Sequence, residues 1–301
     1  MPQSIGTHPL LSAPNDRIAP LTPPDPPREV PGAGSPLSRA VLTGPSREAI
    51  VLASFPTSLY LSVGQHHEVL PVLAADALRF PTGVLLSAPA RDVAWGVEPG
   101  DTVTVGRSQI RLPSWRIRLV REWRPSRVHA VPTLAEPAQL SELADLLSCH
   151  ASTPPLVHQA TAVCLAVRSG DEAEVRHVTR HMLGAGPGLT PSGDDVLCAV
   201  LLVLCGVGEP VPIALLGAAV QDQWTRTTSL SASLLDAARA GYAVPEVAAL
   251  VTSALRSNLA GVSKALNATL AIGHYSGADL VAGLSGSLRA LADAYLPIPT
   301  R

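Results

Sequence analysis

From about residue 45 to residue 123 apolar and polar positions alternate, and turn residues cut the alternation into short runs. A period of two puts successive side chains on opposite faces of a strand. The pattern therefore predicts strands at Ile50–Ala53, Ser58–Ser62, Val69–Leu73, Gly83–Ser87, Asp101–Val105, Ile110–Leu112 and Trp115–Val120. Gly106-Arg107-Ser108 supplies the turn between two of them. Beyond about residue 130 the period becomes 3.6, as in Leu140, Leu143 and Leu147, which share one helix face. Helices follow at Leu156–Val167, from Asp171-Glu172 to before Gly184, and at about 195–207, 211–224, 229–240, 245–256, 259–271 and 278–295. The expected fold class is α+β: a β-rich, barrel-like or sandwich-like domain over 39–130, then an all-helical domain over 131–301. Residues 1–38, crowded with proline and without an apolar period, are expected to form a disordered tail, and Pro125 to Pro137 reads as the linker.

Composition narrows the functions open to this chain. Hydrophobic residues make up 47% of the 301 and aromatic residues only 3%, so the cores are to be built from Ala, Leu and Val. A net charge of −2 with scattered basic residues excludes the footprint of a nucleic-acid binder. The one basic concentration, Arg116, Arg118, Arg121, Arg124 and Arg127, reads first as the wet face of a strand and second as an anion or partner site. Cys149, Cys164, Cys198 and Cys205 show no CxxC spacing, which suits free thiols in a reducing, cytoplasmic compartment. No secretory leader is visible, and the longest apolar run, Val196–Val207, is too short to span a bilayer.

The chemistry concentrates in two segments. Gly184-Ala185-Gly186-Pro187-Gly188-Leu189-Thr190-Pro191-Ser192-Gly193-Asp194-Asp195 joins two helices with four glycines, two hydroxyls and adjacent carboxylates. Its glycines admit close approach of a ligand to the backbone, and its N–H groups, with those of the next helix, could form an anion-binding nest. Ser192 or Asp194 can cap that helix, leaving the second acid for a metal ion or a polar substrate. Gly273-His274-Tyr275-Ser276-Gly277-Ala278-Asp279 repeats the Ser-Gly-x-Asp pattern before a second apolar helix. Two such starts suggest a pseudo-symmetric pair facing one cleft, although good helix caps alone would also explain them. A third patch, Thr225 to Ser231, offers Thr228 or Ser229 as a cap and further hydroxyls for an anion. His274 is the histidine best placed for proton transfer, with His66, His67, His177 and His181 as alternatives; the last two have i, i+4 spacing but no HExxH glutamate.

At these motifs the sequence resembles the family of the oxamate carbamoyltransferase subunit AllH. The Gly-x-Gly-Pro-Gly-Leu-Thr-Pro-Ser-Gly-Asp-Asp segment at 184–195 is the most specific mark, and Gly273-His274-x-Ser276-Gly277-Ala278-Asp279 the second. With the Thr228–Ser233 patch and the Gly100-Asp101 hairpin, the resemblance covers about residues 45–295. It implies a part in anaerobic allantoin breakdown, with two other subunit types, exchanging a carbamoyl group between oxamate and phosphate. The substrates would then be small anions: oxamate, phosphate and carbamoyl phosphate. Gly186, Gly188, Thr190, Ser192, Gly193, Thr228, Ser229, Ser276 and Gly277 become the candidate substrate-binding residues, and Asp194, Asp195, His274 and Asp279 the candidate catalytic ones. Asp194, Asp195 and Asp279 would either hold a Mg²⁺ ion or orient the carbamoyl NH₂. Three readings stay open: a carbamoyltransferase-type subunit, a Mg-dependent enzyme of another reaction type, and a non-catalytic small-anion-binding partner.

Overall fold

The computed structural model describes residues 28–64 and 68–295. Eight strands, β1 Arg28–Gly34, β2 Arg47–Phe55, β3 Ser58–Ser62, β4 Val69–Leu73, β5 Val84–Leu86, β6 Thr102–Gly106, β7 Gln109–Arg111 and β8 Trp115–Glu122, close a barrel in the order β1-β5-β4-β3-β2-β6-β7-β8. The pairs β1·β8 and β4·β5 are parallel and the others antiparallel. This is a barrel and not a sandwich. Alternating residues of the strands, among them Leu59, Leu61, Val72, Val84, Val105, Ile110 and Ile117, fill its interior, and the short helix α1, Arg39–Thr43, adds Leu42 to that core.

The barrel takes in residues assigned above to the tail. Arg28–Gly34 has Pro31 and two glycines, which ordinarily count against a strand. It pairs nonetheless with β8 from Arg28↔Trp115 to Gly34↔Glu122 and with β5 on its other side. The glycines are what this position requires: a Cβ on Gly32 would lie 3.0 Å from Ile117 and 3.1 Å from Val84. The expected tail thus stops short of residue 28, and its residues 1–27 lie outside the described ones.

The helical domain comprises α2 Pro137–Ser148, α3 Pro154–Ser169, α4 Glu172–Met182, α5 Ser192–Val207, α6 Pro210–Gln221, α7 Ser229–Arg239, α8 Pro245–Leu255, α9 Leu259–Leu270 and α10 Ser276–Tyr295. Asp171 caps α4 through the Ala173 and Glu174 N–H groups, and Gly241, at φ +83°, follows the end of α7. α5 is apolar on every side and buried on every side, with Leu197, Leu201, Leu202 and Leu204 enclosed; each such side chain contributes about 1.5–3 kcal/mol. α10 runs beside it. A Cβ on Gly283 would stand 2.8 Å from the Val196 carbonyl, so glycine there sets how closely the two helices pack. Among the described residues no helix is long and apolar enough to cross a membrane.

The segment after β8 does not hang free between the domains. Val128 donates to the Gly241 carbonyl, Val131 to Gly206 and Ala135 to Leu255, which lays the linker along the helical domain. The barrel meets that domain through a small cluster in which Ala53, Tyr60 and Val69 pack against Leu230 of α7. The basic stretch of β8 is an exposed face: Arg116 and Arg118 reach Glu29, and Arg39 pairs with Glu122.

Candidate functional site

The two Ser-Gly-x-Asp segments meet. Both begin a helix in the same way, and the reason is steric. A Cβ on Gly193 would fall 2.0 Å from the Met182 carbonyl oxygen at the end of α4, and one on Gly277 would fall 2.1 Å from the Thr269 carbonyl oxygen at the end of α9. Each glycine lets its helix start press against the end of the preceding helix. The backbone bonds repeat as well: Gly193 N–H donates to the Ala185 carbonyl and Gly277 N–H to Ile272, while Asp195 N–H donates to Pro191 and Asp279 N–H to Tyr275. The starts of α5 and α10 are joined by a 2.8 Å hydrogen bond between Thr190 Oγ1 and Ser276 Oγ.

The capping expectation needs correction. Pro191 is the N-cap of α5, Ser192 is its first helical residue, and no side chain caps it. Asp194 instead reaches backwards. Its Oδ1 accepts from the Gly184 N–H at 2.8 Å and its Oδ2 from the Thr227 hydroxyl, so it ties the glycine loop and the segment before α7 to α5. Burial pushes its pKa upward, against the pull of Thr227, Gly184 and Ser231. Asp279 is buried too and accepts from Ser152, a residue with no motif around it in the sequence.

Asp195 differs from both. It is 6% exposed, and its Oδ2 is buried with no hydrogen-bond partner. Burial raises its pKa well above the usual aspartate range; the Ser276 and Thr190 hydroxyls pull it down, and the charges of Asp279 and Asp194 add to the rise. The Asp195 environment thus favours the protonated form, whose O–H can donate, far more than an exposed aspartate's would. An unmade bond on such a group costs about 1–3 kcal/mol, a cost the fold bears at Asp195.

The carboxyl lines a cavity of about 520 Å³ between the barrel and the helical domain. Thr190, Ser276 and Gly273 share the polar end with it. The rest is apolar: Phe55, Tyr60 and Phe80 come from the barrel side, and Leu202, Leu230 and Leu234 from the helices. Among the described residues no Lys or Arg lines it. None of the three rings was foreseeable from the motifs. The available signal lay in composition, because the chain has only two phenylalanines and both line this cavity.

Of the candidate residues, Thr190, Asp195 and Ser276 line the cavity, whereas Asp194 and Asp279 stand behind its wall. Gly186 and Gly188 lie on the exposed loop at φ +119° and +93°, and His274 is exposed and stacked edge-on against Tyr275. Ser192, Gly193, Ser229 and Gly277 do not line the cavity either. Thr228 caps α7 by accepting from Ser231 N–H and donates to the Leu189 carbonyl, which fastens the loop to α7. The N–H of Gly193 is already bonded, so it is closed to an anion. The Mg²⁺ set of Asp194, Asp195 and Asp279 is not assembled: Asp194 turns both oxygens to Gly184 and Thr227, and among the described residues no group of three or more His, Cys, Asp or Glu is placed to hold a metal. His177 and His181 lie side by side on the exposed face of α4, and His66 and His67 fall outside the described residues.

Residues 182–288 match the family model described as oxamate carbamoyltransferase subunit AllH. The match runs from the end of α4 into α10 and contains both Ser-Gly-x-Asp segments and the Thr228 patch. It is narrower than the resemblance read along the sequence and leaves out the barrel. No curated protein and no solved structure matches the chain.

Proposed function

We propose that this chain is a subunit of an oxamate carbamoyltransferase-like enzyme and that it receives the carbamoyl group at Asp195, Thr190 and Ser276. The observation that carries the reading is the unpartnered, buried Oδ2 of Asp195 at the polar end of the cavity, inside the segment that matches the AllH family. A carbamoyl group presents a carbonyl acceptor beside N–H donors. A neutral carboxyl beside two hydroxyls presents the complementary set. The Asp195 O–H would donate to the carbamoyl oxygen, where negative charge develops as a nucleophile adds to the carbon.

In the transfer, a phosphate oxygen forms a bond to the carbamoyl carbon of N-carbamoylated oxamate while the bond from that carbon to the oxamate nitrogen breaks, giving carbamoyl phosphate and oxamate. The proton given up by the attacking hydrogen phosphate equals the one taken by the leaving nitrogen, so the exchange consumes no net acid or base. Among the described residues no Lys or Arg lines the cavity, which supports a reading in which the phosphate charge is met on another surface, as in a subunit whose site is completed by partners. The glycine loop then serves to position the site, through Asp194 and Thr228, and not to bind the anion.

Calorimetric titration of the full chain with oxamate, and with oxalate as its counterpart without the NH₂ group, tests this. Oxamate should bind, oxalate should not, and Asp195→Ala should abolish the signal. Equal binding of both compounds, or oxamate binding undiminished in Asp195→Ala, would overturn the reading.

A further inference from the structure

The polar end described above occupies a small part of the cavity, and the remainder has no counterpart in oxamate. Oxamate and carbamoyl phosphate are small and carry charge on most of their surface. A cavity of about 520 Å³ falls in the range that accommodates ligands several times larger. Its walls are built for apolar contact. In a chain with 3% aromatic residues, both phenylalanines and two of the four tyrosines, Tyr60 and Tyr242, line this one space. Phe55, Tyr60 and Phe80 stand in sequence, with ring centroids 5.8 Å and 6.0 Å apart in edge-to-face geometry. Leucines of α5 and α7 face them.

Both phenylalanines and two of the four tyrosines brought together at a domain junction call for an explanation in a chain with ten aromatic residues in all. Packing alone does not supply one, since the barrel interior is filled mainly by Val, Leu and Ile with Trp95 and Trp115 and contains neither phenylalanine. The unpartnered Asp195 oxygen fixes where the polar part of an occupant must go, and the rings fix what must follow it.

We propose that the cavity takes a primary amide or carbamoyl compound carrying an apolar body, with the amide at Asp195, Thr190 and Ser276 and the body between the barrel rings and the α5–α7 leucines. This rests on the reading that Asp195 receives a carbamoyl head, and it makes the substrate of this chain larger and more apolar than oxamate. A primary amide is the head group that suits the site, because it pairs with the carboxyl through its carbonyl and through its N–H groups. A free carboxylate would bring a negative charge to this buried end, where no Lys or Arg among the described residues lines the cavity to balance it.

The experiment titrates the full chain with acetamide, butanamide, hexanamide and octanamide, with N,N-dimethylhexanamide and hexanoate as head-group controls, and with oxamate alongside. Binding should tighten roughly fourfold per methylene until the cavity is full. The dimethyl amide and hexanoate should bind at least tenfold more weakly than hexanamide. Leu234→Trp, which fills the apolar end, should weaken octanamide while leaving acetamide unchanged. The melting curve of that variant is recorded first, and if it is unfolded Leu234→Met with a shortened length dependence takes its place. Affinity that does not rise with chain length, or hexanamide and its dimethyl analogue binding equally, overturns the proposal. Alkyl amides that bind where oxamate does not would sustain it and remove oxamate as the substrate; the reverse result would leave the carbamoyl reading standing and this one refuted.

Discussion

Replacing Gly193 or Gly277 with alanine separates a packing role for these glycines from a ligand-binding one. The added methyl at Gly193 would stand 2.0 Å from a backbone oxygen of Met182, where ordinary contact begins near 3.4 Å, so the start of α5 must withdraw by more than 1 Å. Neither side yields easily, because the obstacle is main chain and α5 is held by the bonds of Asp194 to Gly184 and Thr227. Overpacking costs about 1–3 kcal/mol, and loosening those two bonds adds about 1 kcal/mol each. Alanine in place of a helical glycine returns roughly 1 kcal/mol, which leaves about 2–4 kcal/mol of net loss. Gly277→Ala meets Thr269 at 2.1 Å and should behave alike. Gly188→Ala is the contrast: nothing lies within 4 Å of its Cβ, and only its φ of +93° is strained, for about 1–2 kcal/mol. Urea unfolding followed by helical circular dichroism should show the Gly193 and Gly277 midpoints shifted on the order of 1 M, and the Gly188 midpoint by less. If Gly193→Ala and Gly277→Ala unfold at the wild-type midpoint, the wedge argument is wrong.

Other outcomes follow from the carboxyls and thiols. A carboxyl whose folded pKa is raised stabilises the fold below its unfolded value and loses that contribution as pH climbs towards the folded one. Asp195→Asn, which cannot ionise, should therefore gain in melting temperature over the wild type as pH rises from the ordinary aspartate range, and a difference independent of pH would contradict the raised value. Asp194→Ala should cost about 2–4 kcal/mol by freeing Gly184 and Thr227, read as a lower denaturation midpoint, with faster proteolytic cleavage at Ala185–Leu189. Burial lifts the Cys164 thiol to about 12 and the Cys205 thiol to about 11, and lifts Cys198 far above its usual value, whereas Cys149 is exposed. A disulfide reagent at pH 8 should thus label Cys149 first, with Cys205 up to about a hundredfold slower; rapid release of more than one equivalent from the native protein would count against the burial described.

The periods of the chain carried most of its elements, because each records a face that must be buried. The strands expected at Ser58–Ser62 and Val69–Leu73 and the helices of the second half stand close to where they were placed. What escaped was non-local. β1 lacks alternation because its glycines make room for Ile117 and Val84, residues it meets only after the barrel has closed. Barrel and sandwich share one alternation, and the parallel pairs β1·β8 and β4·β5 that decide between them leave no local trace. At the site, the acids and hydroxyls were legible as motifs, but their division of labour was not. Asp194 and Asp195 are neighbours in sequence, yet a helix turns them about 100° apart, one towards the Gly184 loop and the other into the cavity.

The repeated helix start explains how one acid comes to be left open. In both copies the serine and glycine seat the helix against the end of its predecessor, and in both the aspartate is carried one turn inward. At α10 that position meets Ser152, and Asp279 is closed off. At α5 it meets the junction between the helices and the barrel, where the neighbouring walls are rings and leucines that offer no donor to Oδ2. The barrel therefore acts on the Asp195 carboxyl without bonding to its Oδ2. By covering the starts of α5 and α10 with apolar surface it keeps water from the carboxyl, and burial is the largest cause of the raised Asp195 pKa. A polar substitution on the barrel wall, such as Phe80→Gln, should accordingly let the Asp195 pKa fall, alongside whatever packing Phe80 loses against the helical core. The pH at which the growing stability difference between Asp195→Asn and its parent levels off would then shift downward in the Phe80→Gln background. If it stays in place, the apolar wall is not what holds Asp195 neutral, and the charges of Asp279 and Asp194 must do so instead.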